Sequence, residues 1–113
     1  MINDELKYHL LKLLESDPNL SQRAISKEMG ISLGKVNYCL HALIDKGIIK
    51  AKNFYKNTNK TAYTYYLTPK GLEEKGKITF RFLQAKISEY EKLESEIEEI
   101  RKEASALSEK ANS

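Results

Sequence analysis

Residues 21–52, SQRAISKEMGISLGKVNYCLHALIDKGIIKAK, leave few folds open, because capping residues and glycines recur at the spacing of two short helices and a tight turn. Ser21 suits the N-cap of a helix whose apolar positions, Ile25 and Met29, are four apart. Gly30 stops that helix, since the turn into a second one needs a left-handed residue. Ile31 is expected to tuck into the core, and Ser32 to cap the second helix. Ser26, four before the turn glycine, is the small residue a close helix crossing wants. The second helix carries Val36, Leu40, Leu43 and Ile44 on one stripe, and Gly47 closes it before an extended segment opens at Ile48 and Ile49. A helical hairpin that only packs would leave an arbitrary outer face. Here that face reads Lys35, Asn37, Tyr38, His41: basic and hydrogen-bonding groups, the chemistry that contacts base edges and phosphates. The pattern is a helix-turn-helix directed at nucleic acid.

The rest of the chain builds around this pair. A first helix is expected from 4 to 16, capped by Asn3 or Asp4, with Leu6, Leu10, Leu13 and Leu14 as its stripe. Asp17-Pro18-Asn19 ends it, because proline cannot continue a helix and its predecessor avoids the helical region. From Ile48 the period changes. Segments 48–55 and 62–67 are rich in β-branched and aromatic residues, and the polar stretch KNTNKT (56–61) separates them as a turn. Two strands that short must pack on the helices. Tyr55, Tyr63, Tyr65 and Tyr66 are expected in the hairpin core. Three helices followed by such a hairpin make a winged helix.

Thr68-Pro69-Lys70-Gly71 starts another helix, with threonine as cap and proline in the first turn. No residue after Lys77 breaks it. A helix from 69 to about 110 would be roughly 60 Å long at 1.5 Å per residue, more than a 68-residue body can cover. Phe80, Phe82, Leu83 and Ile87 are expected to pack along their own domain. From Tyr90 the apolar residues Leu93, Ile97, Ile100, Ala104, Leu107 and Ala111 follow in alternating steps of three and four, a coiled-coil repeat. One extra three-step between Ile87 and Leu93 interrupts the register as a stammer would. The fold class expected is therefore mainly α with a small β-hairpin, organised as a winged-helix DNA-binding domain (1–68) and a long C-terminal coiled-coil-like helix for dimerisation (69–113). Leu83, Ile87, Tyr90, Leu93, Ile97, Ile100 and Leu107 are the dimerisation candidates.

Charge follows the same division. Residues 1–87 hold 15 Lys/Arg against 8 Asp/Glu, a net of +7, whereas residues 88–113 hold 4 against 8, a net of −4. A basic body with an acidic tail suits a DNA reader with a separate assembly element. No apolar run approaches the roughly 20 residues of a membrane span. The start, MINDELKY, lacks the order of a secretory signal. A single cysteine, Cys39, forms no intramolecular disulfide, so a cytoplasmic location is expected. It lies one position from the buried stripe, as a semi-buried filler. His9, His41 and Cys39 have no metal-site spacing, and neither a nucleophile with its base nor a phosphate-cradling glycine loop is present. No enzyme, metal or cofactor is expected.

In a winged helix the N-terminal turns of the third helix enter the major groove. Ser32, Leu33, Gly34, Lys35, Asn37 and Tyr38 occupy that end, with His41 one turn on. Asn37 can contact adenine in bidentate fashion, Lys35 guanine or phosphate, and Gly34 allows close backbone approach. Ser21, Gln22 and Arg23 suit phosphates at a helix N-terminus. The wing offers Lys50, Lys52, Lys56 and Lys60 with no acid between Lys46 and Glu73, and with Asn57 and Asn59 it can follow the backbone into a minor groove. Edge lysines also discourage aggregation.

The string S-x-R-x-I-S-K-E-M-G-I-S-L-G-K-V-N-Y-C-L-x-A-L-I-D-K-G-I-I-K, with the junction Y-x-L-T-P-K-G at 65–71, resembles the MarR-type winged-helix transcription regulators, most nearly their EPS-associated branch of small bacterial proteins. The resemblance implies regulation of exopolysaccharide genes by a DNA-binding homodimer. Many MarR proteins have a small hydroxyl residue and an arginine where this chain has Asn37 and Tyr38, so base preference does not carry over. Typical members also have a longer N-terminal helix and paired C-terminal helices around a phenolic-ligand pocket. The single C-terminal helix here argues against effector sensing. The leading reading is a dimeric regulator on double-stranded DNA. The alternative is a winged helix used as a protein-interaction module through its acidic C-terminal helix, and a weaker one is single-strand binding on stacked tyrosines.

Overall fold

The computed structural model describes residues 2–55 and 61–112, with the side chains of 53–55 and 61–62 excepted. The elements run α1 (Asp4–Ser16), α2 (Gln22–Met29), α3 (Leu33–Asp45), β1 (Ile49–Tyr55), β2 (Thr61–Leu67) and α4 (Pro69–Asn112). The architecture is thus mainly helical, with one two-stranded hairpin and a long C-terminal helix. It divides into two compact units, residues 1–80 and 81–113.

The first three helices begin on side-chain caps, as the sequence predicts. Asn3 accepts from the Leu6 amide at 2.8 Å, Ser21 from Ala24 at 3.0 Å and Ser32 from Lys35 at 3.1 Å, each satisfying a donor the helix cannot. Gly30 ends α2 at φ +66° and Gly47 follows α3 at φ +73°, both in the left-handed region. Ser26 has a more specific job than allowing a close crossing. Its carbonyl accepts from the Ile31 amide, and its hydroxyl donates to the Ile31 carbonyl, so one residue clamps both sides of the turn.

Leu10, Leu11, Leu14, Ile25, Val36, Cys39, Leu40, Leu43, Ile48, Ile49, Tyr65 and Ile78 form one core. Cys39 is fully buried rather than a semi-buried filler. Desolvation by that burial pushes its thiol above the ordinary 9.0, against the opposing effect of the Lys35 charge.

β1 and β2 pair antiparallel, with Ile49 opposite Leu67, Ala51 opposite Tyr65 and Asn53 opposite Tyr63. Along β2, Tyr65 is buried while Tyr63 and Tyr66 are exposed, so only one of these three tyrosines belongs to the core. The α1–α2 loop holds β2 in place: the Tyr65 amide donates to the Pro18 carbonyl (3.1 Å) and the Thr64 hydroxyl to Asn19 Oδ1 (3.2 Å).

The start of α4 is locked to the end of α3. Thr68 accepts from the Gly71 amide at 2.9 Å, and its hydroxyl lies within bonding reach of the Gly47 and Ile48 carbonyls. Gly71 is required for a different reason from the turn glycines. A Cβ there would stand 1.9 Å from the Ile48 carbonyl oxygen, well inside any tolerable contact. The Leu-Thr-Pro-Lys-Gly junction is therefore a packing motif. Ile78, seven residues on, is the fully buried side chain of this helix, whereas Phe80 is 72% exposed and Leu83 and Ile87 are exposed too. Gly71 and Ile78, the residues of this helix that reach the core, share a face two turns apart, and Phe80 lies off that face. Within residues 81–113, Tyr90, Leu93, Ile97, Ile100 and Leu107 are all exposed.

Candidate nucleic-acid interface

α3 is amphipathic in a way that assigns its two faces. Val36, Cys39, Leu40 and Leu43 are buried to 1% or less, which fixes the helix in rotation and in height. The opposite face therefore has a defined orientation. Ser32, Leu33, Gly34, Lys35, Asn37, Tyr38 and His41 are all exposed along it, and Ser21 and Arg23 are exposed at the start of α2. Ser21 and Ser32 spend their hydroxyl oxygens on caps, leaving their hydroxyl protons for an outside acceptor.

Gly34 bears on the same surface. A Cβ at this position would meet nothing within 4 Å, so no contact inside the chain calls for glycine. Glycine in a helix costs about 1 kcal/mol relative to alanine. The residue is unexplained by the fold and suits close approach of something external.

Gln22 departs from the simple picture of a phosphate contact. It is half-buried, and its side-chain nitrogen donates to Asn37 Oδ1 at 3.5 Å and to the Tyr65 hydroxyl at 3.2 Å. One amide thus joins α2, α3 and β2. Tyr65 in turn stacks with Tyr63, ring centroids 6.3 Å apart. Tyr63 shares the hairpin face of Tyr65 but is 48% exposed, so it extends this surface along the wing. Tyr63, expected in the hairpin core, is thus a surface residue. It alternates with Thr64 and so falls on the face of Tyr65 and Leu67, but alternation alone does not show where the helical cover ends.

Lys50 and Lys52 are exposed in β1 and alternate with the inward Ile49 and Ala51, so they occupy the other face of the hairpin, where Lys52 lies over the Tyr66 ring at 5.5 Å. Lys56, Asn57, Asn59 and Lys60, expected at the wing tip, lie outside the described residues. Among the described residues no group of His, Cys, Asp or Glu is placed to hold a metal ion, and no helix is long and apolar enough to cross a membrane.

Residues 3–50 match a family model described as winged helix-turn-helix DNA-binding. No curated protein matches the chain. Several solved structures share its fold, among them the following three. A transcriptional regulator homologue from Pyrococcus horikoshii OT3 superposes with a TM-score of 0.56 at 17% identity, over 74% of this chain and 81% of that one. Staphylococcus aureus MarR, solved with salicylate and kanamycin, gives 0.54 at 21%, over 73% of this chain and 53% of its own. Lactococcus lactis ZitR, solved in complex with DNA, gives 0.56 at 23%, over 97% of this chain and 75% of its own. The chain has the winged helix-turn-helix fold seen in these proteins, and residues 3–50 are the part that matches the winged helix-turn-helix DNA-binding model.

Proposed function

We propose that this protein is a sequence-specific, double-stranded DNA-binding transcription regulator that acts as a homodimer in the cytoplasm. The observation that carries the reading is α3. A helix clamped by four fully buried side chains presents Lys35, Asn37, Tyr38 and His41 outward, next to Arg23 at a helix N-terminus. The fold shared with ZitR, whose structure includes DNA, supports the same assignment. Lys35 and Arg23 hold phosphates, Asn37 and Tyr38 face base edges, and Lys56, Asn57, Asn59 and Lys60 supply a basic wing tip. The exposed seam Leu83, Ile87, Tyr90, Leu93, Ile97, Ile100 and Leu107 pairs two copies, because a coiled-coil repeat is complementary to itself. Two copies can then read half-sites about one helical turn apart. The resemblance to the EPS-associated branch makes exopolysaccharide genes the first regulated targets to test.

Selection of bound sequences from a random duplex pool, followed by titration of the winning site, tests the reading. A near-palindromic site should emerge, bound with an affinity that falls steeply with salt. Asn37→Ala should weaken that site by about 1–3 kcal/mol and leave random duplex nearly unaffected. No enriched site together with a salt slope near zero would replace this reading with the protein-interaction one.

A further inference from the structure

We propose that Leu33 is a specificity-determining residue that reads the methyl group of thymine in the major groove. The inference rests on the DNA-reading role of α3 given above. Leu33 is the first residue of α3 and is 41% exposed. The core and the half-buried apolar residues packed on it include Ile31 and Val36 on either side, but not Leu33 itself. Its neighbours Ser32, Gly34, Lys35 and Asn37 are exposed as well. A single exposed leucine is ordinary on a protein surface. This one stands at the end of the helix that enters the groove, beside a glycine with no side chain to shield it.

The geometry of a helix start supports the assignment. Each Cα–Cβ bond tilts toward the helix N-terminus, so a side chain at the first position leads the helix into the groove. Leu33 also lies one turn before Asn37, on the same side of α3. Its isobutyl group neither donates nor accepts a hydrogen bond, so it can favour a base edge in one way only. Over guanine, adenine or cytosine it would cover donors and acceptors and leave them unpaired. Thymine alone presents a methyl group, and the contact then buries apolar surface on both partners. Four residues of helix rise about 6 Å, and a base pair occupies about 3.4 Å. The thymine therefore lies within about two base pairs of the pair read by Asn37.

The test starts from the duplex that the full-length wild type selects, with the pair read by Asn37 located as the one whose preference Asn37→Ala erases. Each thymine of a half-site is then replaced in turn by uracil, which lacks only the methyl group and keeps every hydrogen-bonding group of the pair. At one thymine within the stated distance, wild type should lose affinity about fourfold per half-site. Leu33→Ala should bind the unmodified duplex more weakly by a similar factor and show no uracil penalty at that thymine. Its salt slope should equal that of wild type, because no charge has been removed. Leu33→Met, which keeps an apolar side chain of similar reach, should retain the penalty. No penalty at any thymine in wild type, a penalty only at thymines farther from the Asn37 pair, or an equal penalty in Leu33→Ala would overturn the proposal while leaving DNA reading intact. A wild type with no preferred site at all would instead remove the reading beneath it.

Discussion

α3 and the later turns of α4 are both amphipathic helices, yet their apolar stripes meet different fates. In α3, Val36, Leu40 and Leu43 are no more than 1% exposed, with Ile44 partly buried beside them, while Leu93, Ile97, Ile100 and Leu107 remain 42–69% exposed. The contrast shows what an apolar stripe can and cannot say. Periodicity states that a helix has something to cover, and burial states whether the chain itself supplies the cover. For α3 it does, and the exposed face is left as the surface that needs a functional explanation. For residues 81–113 the relation is reversed, and the apolar face itself calls for a partner.

The strongest way to break this contrast is to charge the seam. Ile97→Asp with Ile100→Asp removes four side chains from a paired interface, each worth about 1.5–3 kcal/mol when buried. Sedimentation should show monomer where the wild type is dimer, and operator affinity should fall, while the unfolding of residues 1–80 stays put. A wild type already monomeric at micromolar concentration would end the argument for self-pairing.

Next in size is Gly71→Ala, which attacks the packed unit instead. Its Cβ would have to displace the Ile48 carbonyl, so a loss of about 3 kcal/mol or more in urea unfolding is expected, with no change in the seam. Stability equal to wild type would mean that the α3–α4 junction is looser than its hydrogen bonds imply.

The smallest effect sharpens the comparison most. Gly34 and Gly76 both sit in helices with open space where a Cβ would go. Replacing either with alanine should stabilise the protein by about 0.5–1 kcal/mol. Gly34→Ala alone should also weaken DNA binding, because only Gly34 lies on the reading face. Equal DNA affinity for the two variants would free Gly34 of any role in contact.

These residues also mark how far the sequence was readable. Caps and stops were legible because each is a local event: Ser21, Ser32 and Gly30 do their work within four residues of themselves. The reading face of α3 followed from the same local periodicity. What escaped were facts fixed by distant chain. Gly71, a poor helix former on propensity alone, is explained only by Ile48 against it, and Cys39, expected as a semi-buried filler, is fully enclosed by the core. Ile78 is masked in the sequence by Phe80, which is larger and in register with Leu83 and Ile87 of the seam. The Gln22–Asn37 contact spans 15 residues and joins two polar side chains, a pairing that no hydrophobic pattern announces.

The burial of Cys39 gives the protein a built-in clock. It is the only thiol in the chain, it sits in the middle of α3, and burial keeps it protonated and inert. A thiol reagent can react only during the moments when the core around the reading helix opens, so the labelling rate counts those openings. Any ligand that binds the closed form alone must slow the count in proportion to its occupancy. Operator duplex, non-specific duplex and single strand can thus be ranked by the time they add to one modification, with no reporter added to the exposed face of α3.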